Sequence, residues 1–293
     1  MKRNASRKAL AASILLTGLA PSVLQGAVIY ESFTFPDADT SLTGNPGGTG
    51  LSGNWTAGGG YTKNTGMTYG GLATAGDSSN AGSGWSKAEI GITASTAFSG
   101  LLVNGGDLWF SLILEVTSIN NRTYMALTNN GIGPSNGALD APGVGEDTTQ
   151  GIGFALGSTE LFHAALWEDN LAIGSNLNGT PANTVVGTQA TQAAGTYFIV
   201  GHAQWGATAL DNDTVTLYLP GTGLALGAVA STATGIVDQS KFDTLGIQNL
   251  TAGNRYDEIR VGATYADVTP VVPEPSAAVL GGLGALLLLR RRR

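Results

Sequence analysis

The 293-residue chain contains no cysteine. That excludes a disulfide framework, a thiolate metal site and a lipid anchor attached through cysteine. Histidine is almost as scarce: His163 and His202 are the only two, each in an apolar, strand-like setting with no second ligand at metal-binding spacing. Zinc is not expected, and both read as core or sheet-face residues. Cations are rare in the body, where only Lys63, Lys87, Arg122, Lys241, Arg255 and Arg260 lie between two basic ends. So few cations in an acidic interior repel phosphate, and no nucleic-acid partner is expected. The chain also lacks a 3.6-residue apolar period over three helical turns, a Gly-x-Ser-x-Gly elbow and a Glu-x-Asp-x-x-Glu string that would set carboxylates on one strand face. Its acidic pairs are adjacent instead, at Glu146-Asp147, Glu168-Asp169 and Asp257-Glu258. Neighbours on a regular strand point to opposite faces, so these pairs do not form a glycosidase dyad. The chain reads as non-enzymatic.

What is present begins with the two ends. Lys2, Arg3, Arg7 and Lys8 precede a short apolar run over 9–20, and small residues follow at Gly26 and Ala27. This is the pattern of a secretory signal peptide over 1–27, handled by Sec-type export machinery. At the other end, an apolar run over 276–289 closes on Arg290, Arg291, Arg292 and Arg293. Fourteen helical residues span about 21 Å, short of the ~30 Å hydrocarbon core. Snorkelling arginine stems and local thinning extend that reach. The Arg cluster belongs on the cytoplasmic side and the body outside.

Between the ends, short apolar runs alternate with Gly-, Asn- and Pro-rich turns such as Asn45-Pro46-Gly47-Gly48 and Pro220-Gly221-Thr222-Gly223. Strands are expected at 28–35, 85–93, 107–119, 122–128, 151–156, 161–166, 196–205, 214–219, 242–249 and 256–265. Along 196–205, Phe198, Val200 and His202 share one face, Tyr197 and Ile199 the other. Aromatics in the Gly-rich 40–84 segment point to ordered loops and edge strands. Many short strands with no helix predict an all-β, antiparallel two-sheet jelly-roll sandwich over 28–268, flanked by the signal peptide and a short transmembrane-like helix. A linker over 269–275 joins the sandwich to the tail over 276–293.

Two kinds of binding chemistry are written into the body. Asp211-Asn212-Asp213 and the 140–147 loop offer oxygen ligands, so Asp211 and Asp213 are candidate calcium ligands, set against the ordinary turn-forming role of Asp and Asn. Tryptophans next to loops can stack on sugar rings, which nominates Trp55, Trp85 and Trp167 as glycan-facing. Trp109 and Trp205 lie within strands and are expected in the core.

The string Val272-Pro273-Glu274-Pro275-Ser276, followed by a glycine-containing apolar run and a terminal Arg cluster, resembles the PEP-CTERM sorting signal. The match covers about the last 22 residues. The resemblance implies that Pro273, Glu274 and Pro275 are recognised by a membrane-embedded exosortase that removes the tail. It also implies delivery to the surface or extracellular polysaccharide matrix of a Gram-negative-type bacterium. A second resemblance covers the body. Glu31-Ser32-Phe33, the 47–55 stretch ending at Trp55, and Tyr256-Asp257-Glu258-Ile259-Arg260-Val261-Gly262 look like bacterial laminin-G or concanavalin-A-like jelly-roll domains. In that reading Ile259 and Val261 point inward while Asp257, Glu258 and Arg260 finish the last strand near the chain's exit. The expected function is a non-enzymatic surface or matrix protein, tethered by its tail before processing. A carbohydrate-binding module, calcium-assisted, is the first rival, and a glycoside hydrolase or lyase the last.

Overall fold

A computed structural model describes residues 26–36, 40–58, 60–80, 86–117, 123–129, 150–156, 161–167, 184–186, 191–249 and 253–271. Its strands are β1 (Ile29–Glu31), β2 (Leu51–Gly58), β3 (Thr62–Thr65), β4 (Asp77–Asn80), β5 (Ser86–Ile92), β6 (Asp107–Val116), β7 (Thr123–Thr128), β8 (Gly151–Leu156), β9 (Phe162–Trp167), β10 (Thr184–Val186), β11 (Gly195–Gln204), β12 (Asp213–Tyr218), β13 (Val229–Gly235), β14 (Thr244–Asn249) and β15 (Arg255–Gly262). Two short helices, α1 (Thr96–Gly100) and α2 (Tyr265–Val268), and a 3-10 turn at Gln239–Lys241 complete the described elements. The strands form two antiparallel sheets. One has nine strands in the order β10-β13-β12-β11-β6-β15-β4-β3, with β1 also paired to β15; the other has six, β2-β5-β14-β7-β8-β9.

The sandwich follows from strict alternation. Leu108, Phe110, Leu112 and Leu114 of β6 point inward together with Ile199 of β11 and Val215 and Leu217 of β12. They meet Ile90, Met125, Leu127, Ile152, Phe154, Leu245 and Ile247 of the facing sheet. The two-sided packing leaves little slack: a Cβ on Gly201 would lie 1.9 Å from the Phe110 ring, so only glycine fits beneath that ring. Tyr256 stitches the sheets together, its hydroxyl reaching the carbonyls of Tyr124 (3.0 Å) and Gln248 (2.7 Å).

Nine of the ten expected strands occur within a few residues of their expected bounds. The first is shorter, because the chain leaves the sheet after Glu31 and Phe33 takes a left-handed φ of 50°. β13 was not expected, since Val-Ala-Ser-Thr-Ala-Thr-Gly carries too little apolar character to stand out. β2, β3 and β4 order the Gly-rich 40–84 segment, and the two short helices correct the helix-free expectation.

The last strand departs most from the expectation. Asp257 pairs with Ile113 and Arg260 with Ser111, so β15 spends one residue more than β6 over the same distance. Glu258 absorbs the surplus at φ 55°, a bulge in a conformation costly for a side-chain-bearing residue. Tyr256, Ile259 and Val261 therefore face the core while Asp257, Glu258 and Arg260 all lie on the outer side. Adjacency no longer means opposite faces. Nor are these residues solvated at a chain exit: Asp257 and Glu258 are 0 % exposed and Arg260 3 %.

Candidate functional site

The sequence candidates are scattered, not gathered. Pro273, Glu274, Pro275, the four terminal arginines, Trp85 and the 140–147 loop lie outside the described residues. Trp55 is no sugar platform: it is buried, and its indole N–H donates to Glu31 Oε2 at 3.1 Å. The Glu31 carboxylate also accepts from the backbone of Phe33 (2.6 Å) and Gly48 (2.9 Å), and its burial raises its pKa. Asp211 and Asp213 do not share a site. Asp213 is buried and accepts from the N–H groups of Gly206 and Val237, both at 2.9 Å, while exposed Asp211 caps the turn at Thr208. Among the described residues no three His, Asp or Glu side chains are grouped to hold a metal.

Trp205 is in the core as expected, its indole N–H bound to the Leu101 carbonyl at 2.6 Å. Trp109 is not. It lies half-exposed on the outer face of the nine-stranded sheet, its ring stacked on His202 at 4.0 Å between centroids. Asp107 holds the far side of that imidazole at 2.8 Å from Nε2.

Trp167 is buried too, but on the outer face of the six-stranded sheet, away from the main core. Strand registers place three parallel rows there. The first contains Lys87, Gln248, Tyr124, Ala155 and His163; the middle one Glu89, Gly246, Ala126, Gly153 and Ala165; the third Gly91, Thr244, Thr128, Gly151 and Trp167. Rows two residues apart along a strand are separated by about 6.6 Å. From β14 to β9 the middle row is a floor of glycine and alanine, with Glu89 at its β5 end and larger side chains on both flanks. The Trp167 indole leans over Gly151, where a Cβ would meet its ring at 3.3 Å.

Exposure changes along this trough. Glu89, Gly91 and Thr244 are partly open to solvent, whereas Tyr124, Ala126, Ala155, His163, Ala165 and Gln248 are at most 1 % exposed. Burial lowers the His163 pKa to about 4, so its imidazole is neutral at physiological pH. Two polar atoms here have no hydrogen-bond partner: Thr128 Oγ1 and Gln248 Oε1. Each orphan buried polar group costs about 1–3 kcal/mol.

A second polar cluster lies behind the β15 bulge; its carboxylate oxygens all meet donors, while Arg260 Nη1 has no hydrogen-bond partner. Asp257 accepts from Met67 N (2.7 Å) and Glu258 N (2.8 Å). Glu258 accepts from Ala75 N (2.6 Å), the Tyr30 hydroxyl (3.2 Å) and the Arg260 guanidinium. Arg260 also donates to the Ala73 carbonyl at 2.6 Å and lies over the Tyr30 ring. Burial, with Glu258 beside it, pushes the Asp257 pKa up to about 8; burial and Glu258 raise Tyr30 to about 12. Met67 and Ala75 belong to the 65–76 strap, whose two arms line a cleft of about 230 Å³. The acid pair therefore works as a latch holding the strap to the sheet. No sequence signal separates such a latch from a catalytic pair, because the bulge sets the face.

No family model matches the chain, and no curated protein matches it by sequence. Among solved structures it is similar to the metal-free carbohydrate recognition domain of Emp46p, with 10 % identity over 71 % of this chain and 88 % of that one, TM-score 0.41. It is similar to the lectin UEA-II complexed with galactose at 10 % identity, covering 76 % and 97 % of the two chains, TM-score 0.39. A Bacillus licheniformis β-glucanase matches at 10 % identity over 82 % and 99 %, TM-score 0.37. Likeness at this level says nothing of what this chain binds.

Proposed function

We propose that this chain is an exported surface or matrix protein that binds a neutral polysaccharide in the trough on the outer face of its six-stranded sheet. The observation that carries the reading is the pair of buried, unpartnered polar atoms, Thr128 Oγ1 and Gln248 Oε1, flanking a Gly/Ala floor beside Tyr124 and Trp167. Aromatic faces suit the C–H faces of sugar rings, and the orphan groups suit their hydroxyls. The partly open Glu89–Thr244 end gives a polar approach. An uncharged ligand suits the orphan atoms, a hydroxyl and an amide oxygen that are themselves uncharged; register also places Lys87 and Glu89 of β5 on this face.

The proposed activity is binding without catalysis. Glycoside hydrolysis needs two carboxyl groups about 5–9 Å apart. Among the described outward positions of these six strands Glu89 supplies the only one. Export through the signal peptide and sorting by the Pro273-Glu274-Pro275 tail as an exosortase substrate complete the proposal. Deleting 273–293 should then alter the protein's location in its host, and an unchanged location would refute the sorting role.

The binding role is tested on a glycan array with the full chain in mild detergent, beside the variants Thr128→Val and Gln248→Leu. Both should keep the fold by circular dichroism and lose most of the signal on neutral glycans. Equal binding by all three proteins, or none by the wild type, would overturn the reading.

A further inference from the structure

The way the chain leaves the sandwich fixes which side of the domain faces the membrane. After β15, α2 folds back over the outer face of the nine-stranded sheet. A capping box between Thr264 and Asp267 starts this helix, and Ser111 Oγ donates to the Val268 carbonyl at 2.7 Å. The Pro270 carbonyl then accepts from Ala73 N at 2.7 Å, and Val271 bridges to Leu72. The chain is thus pinned to this face as far as Val271, by the same strap that Asp257 and Glu258 latch.

Only residues 272–275 separate Val271 from the apolar run that starts at Ser276. Four residues reach about 14 Å at full extension. The headgroup zone of one leaflet takes up about 5–7 Å of that. A tail inserted in the bilayer therefore holds the exit face within several ångströms of the lipid headgroups.

The surface at the exit suits that position. Tyr69, Trp109, Tyr218, Leu226 and Tyr265 are half-exposed around a small apolar cluster that includes Leu72 and Val268, and Val271 is 59 % exposed. The tyrosine rings are held in place, Tyr69 bonding to the Pro220 carbonyl at 2.8 Å and Tyr265 to the Leu224 carbonyl at 2.5 Å. Tryptophan and tyrosine favour the membrane–water boundary, where a ring meets both apolar and polar surroundings. Charge on these strands is muted despite the acidic composition. Asp77 pairs with Lys63, Glu115 with Arg255 and Glu258 with Arg260, Asp107 bonds to His202, and Glu31, Asp213 and Asp257 are buried.

We propose that, while the tail is inserted, the exit face of the nine-stranded sheet docks on the zwitterionic lipid interface through Tyr69, Trp109, Tyr218, Leu226, Tyr265 and Val271. This rests on the tail reading above, and it turns the six-stranded sheet outward, towards the matrix.

The absence of native cysteine makes the test specific. Gly71→Cys and Ala266→Cys place a single thiol beside the exit; both sites are exposed, and a Cβ at Gly71 meets nothing within 4 Å. Ser52→Cys places one on exposed β2 of the other sheet. Each full-length variant, labelled with an environment-sensitive fluorophore, is reconstituted in phosphatidylcholine vesicles with and without brominated lipid. Docking requires that the chain float with the vesicles and that the labels at 71 and 266 be quenched several-fold more than the label at 52. Flotation with equal quenching at all three positions would overturn docking and leave the tether standing. A chain that does not float would overturn both.

Discussion

The two outer faces of the sandwich bury different kinds of polar group, and each keeps an orphan: Arg260 Nη1 on one, Thr128 Oγ1 and Gln248 Oε1 on the other. Behind the β15 bulge, the oxygens of Asp257 and Glu258 each meet a named donor, and the result is a latch that holds the 65–76 strap. On the six-stranded sheet, Thr128 and Gln248 bury polar atoms that meet none, beside a row of glycine and alanine. A carboxylate with donors on both oxygens is held in place, whereas an orphan group holds a cost that a partner can remove. On the proposal above, the carboxylate latch is structural and the orphan pair on the six-stranded sheet serves binding.

The sharpest way to break that contrast is at the latch. Glu258→Ala strands the buried Arg260 guanidinium without its carboxylate and should cost about 3–5 kcal/mol by chemical denaturation, although it deletes an outward side chain. A loss below about 1 kcal/mol would mean that the cluster is not structural.

A pH series separates the two faces next. In the folded chain Asp257 holds its proton up to about pH 8, against an ordinary value of 3.8, so the folded state binds more protons across that window. Stability should be fullest below the ordinary value and decline as pH rises towards 8, by up to about 1.4 kcal/mol per pH unit. His163 acts in the opposite direction below its ordinary value of 6.5, because its pKa in the fold is lowered. The decline from Asp257 is therefore cleanest between about pH 6.5 and 8, and Asp257→Asn should flatten it. A flat wild-type profile over that interval would contradict the buried-acid assignment.

The smallest effects come from two hydroxyls. Thr128→Val removes an orphan and should stabilise the ligand-free protein by about 1 kcal/mol. Ser111→Ala removes a satisfied donor to Val268 and should destabilise it by about 1 kcal/mol. Shifts of the same sign in thermal melts would erase the distinction.

Much of this fold was legible in the sequence, because alternation speaks plainly where a strand has one apolar face. Gly151–Leu156 was read to the residue, and the two faces of β11 were separated correctly at Phe198/Val200/His202 and Tyr197/Ile199. Alternation does not say which face is the core when both are covered, so Trp109 was expected inside and lies outside. Trp55 was expected outside and is buried against Glu31. The bulge at Glu258 was illegible for another reason: one surplus residue in a left-handed conformation reverses the parity on which facing arguments rest. The trough was hidden because its middle row is built from residues of five strands, joined only by register.

One paired measurement tests the division of labour most directly: the affinity of Trp167→Ala and of Trp109→Ala, against wild type, for the neutral glycan that gives the strongest array signal. Trp167→Ala should abolish measurable binding while Trp109→Ala leaves it at the wild-type level. Retained binding in Trp167→Ala with loss in Trp109→Ala would move the site to the other sheet and contradict the assignment of both faces.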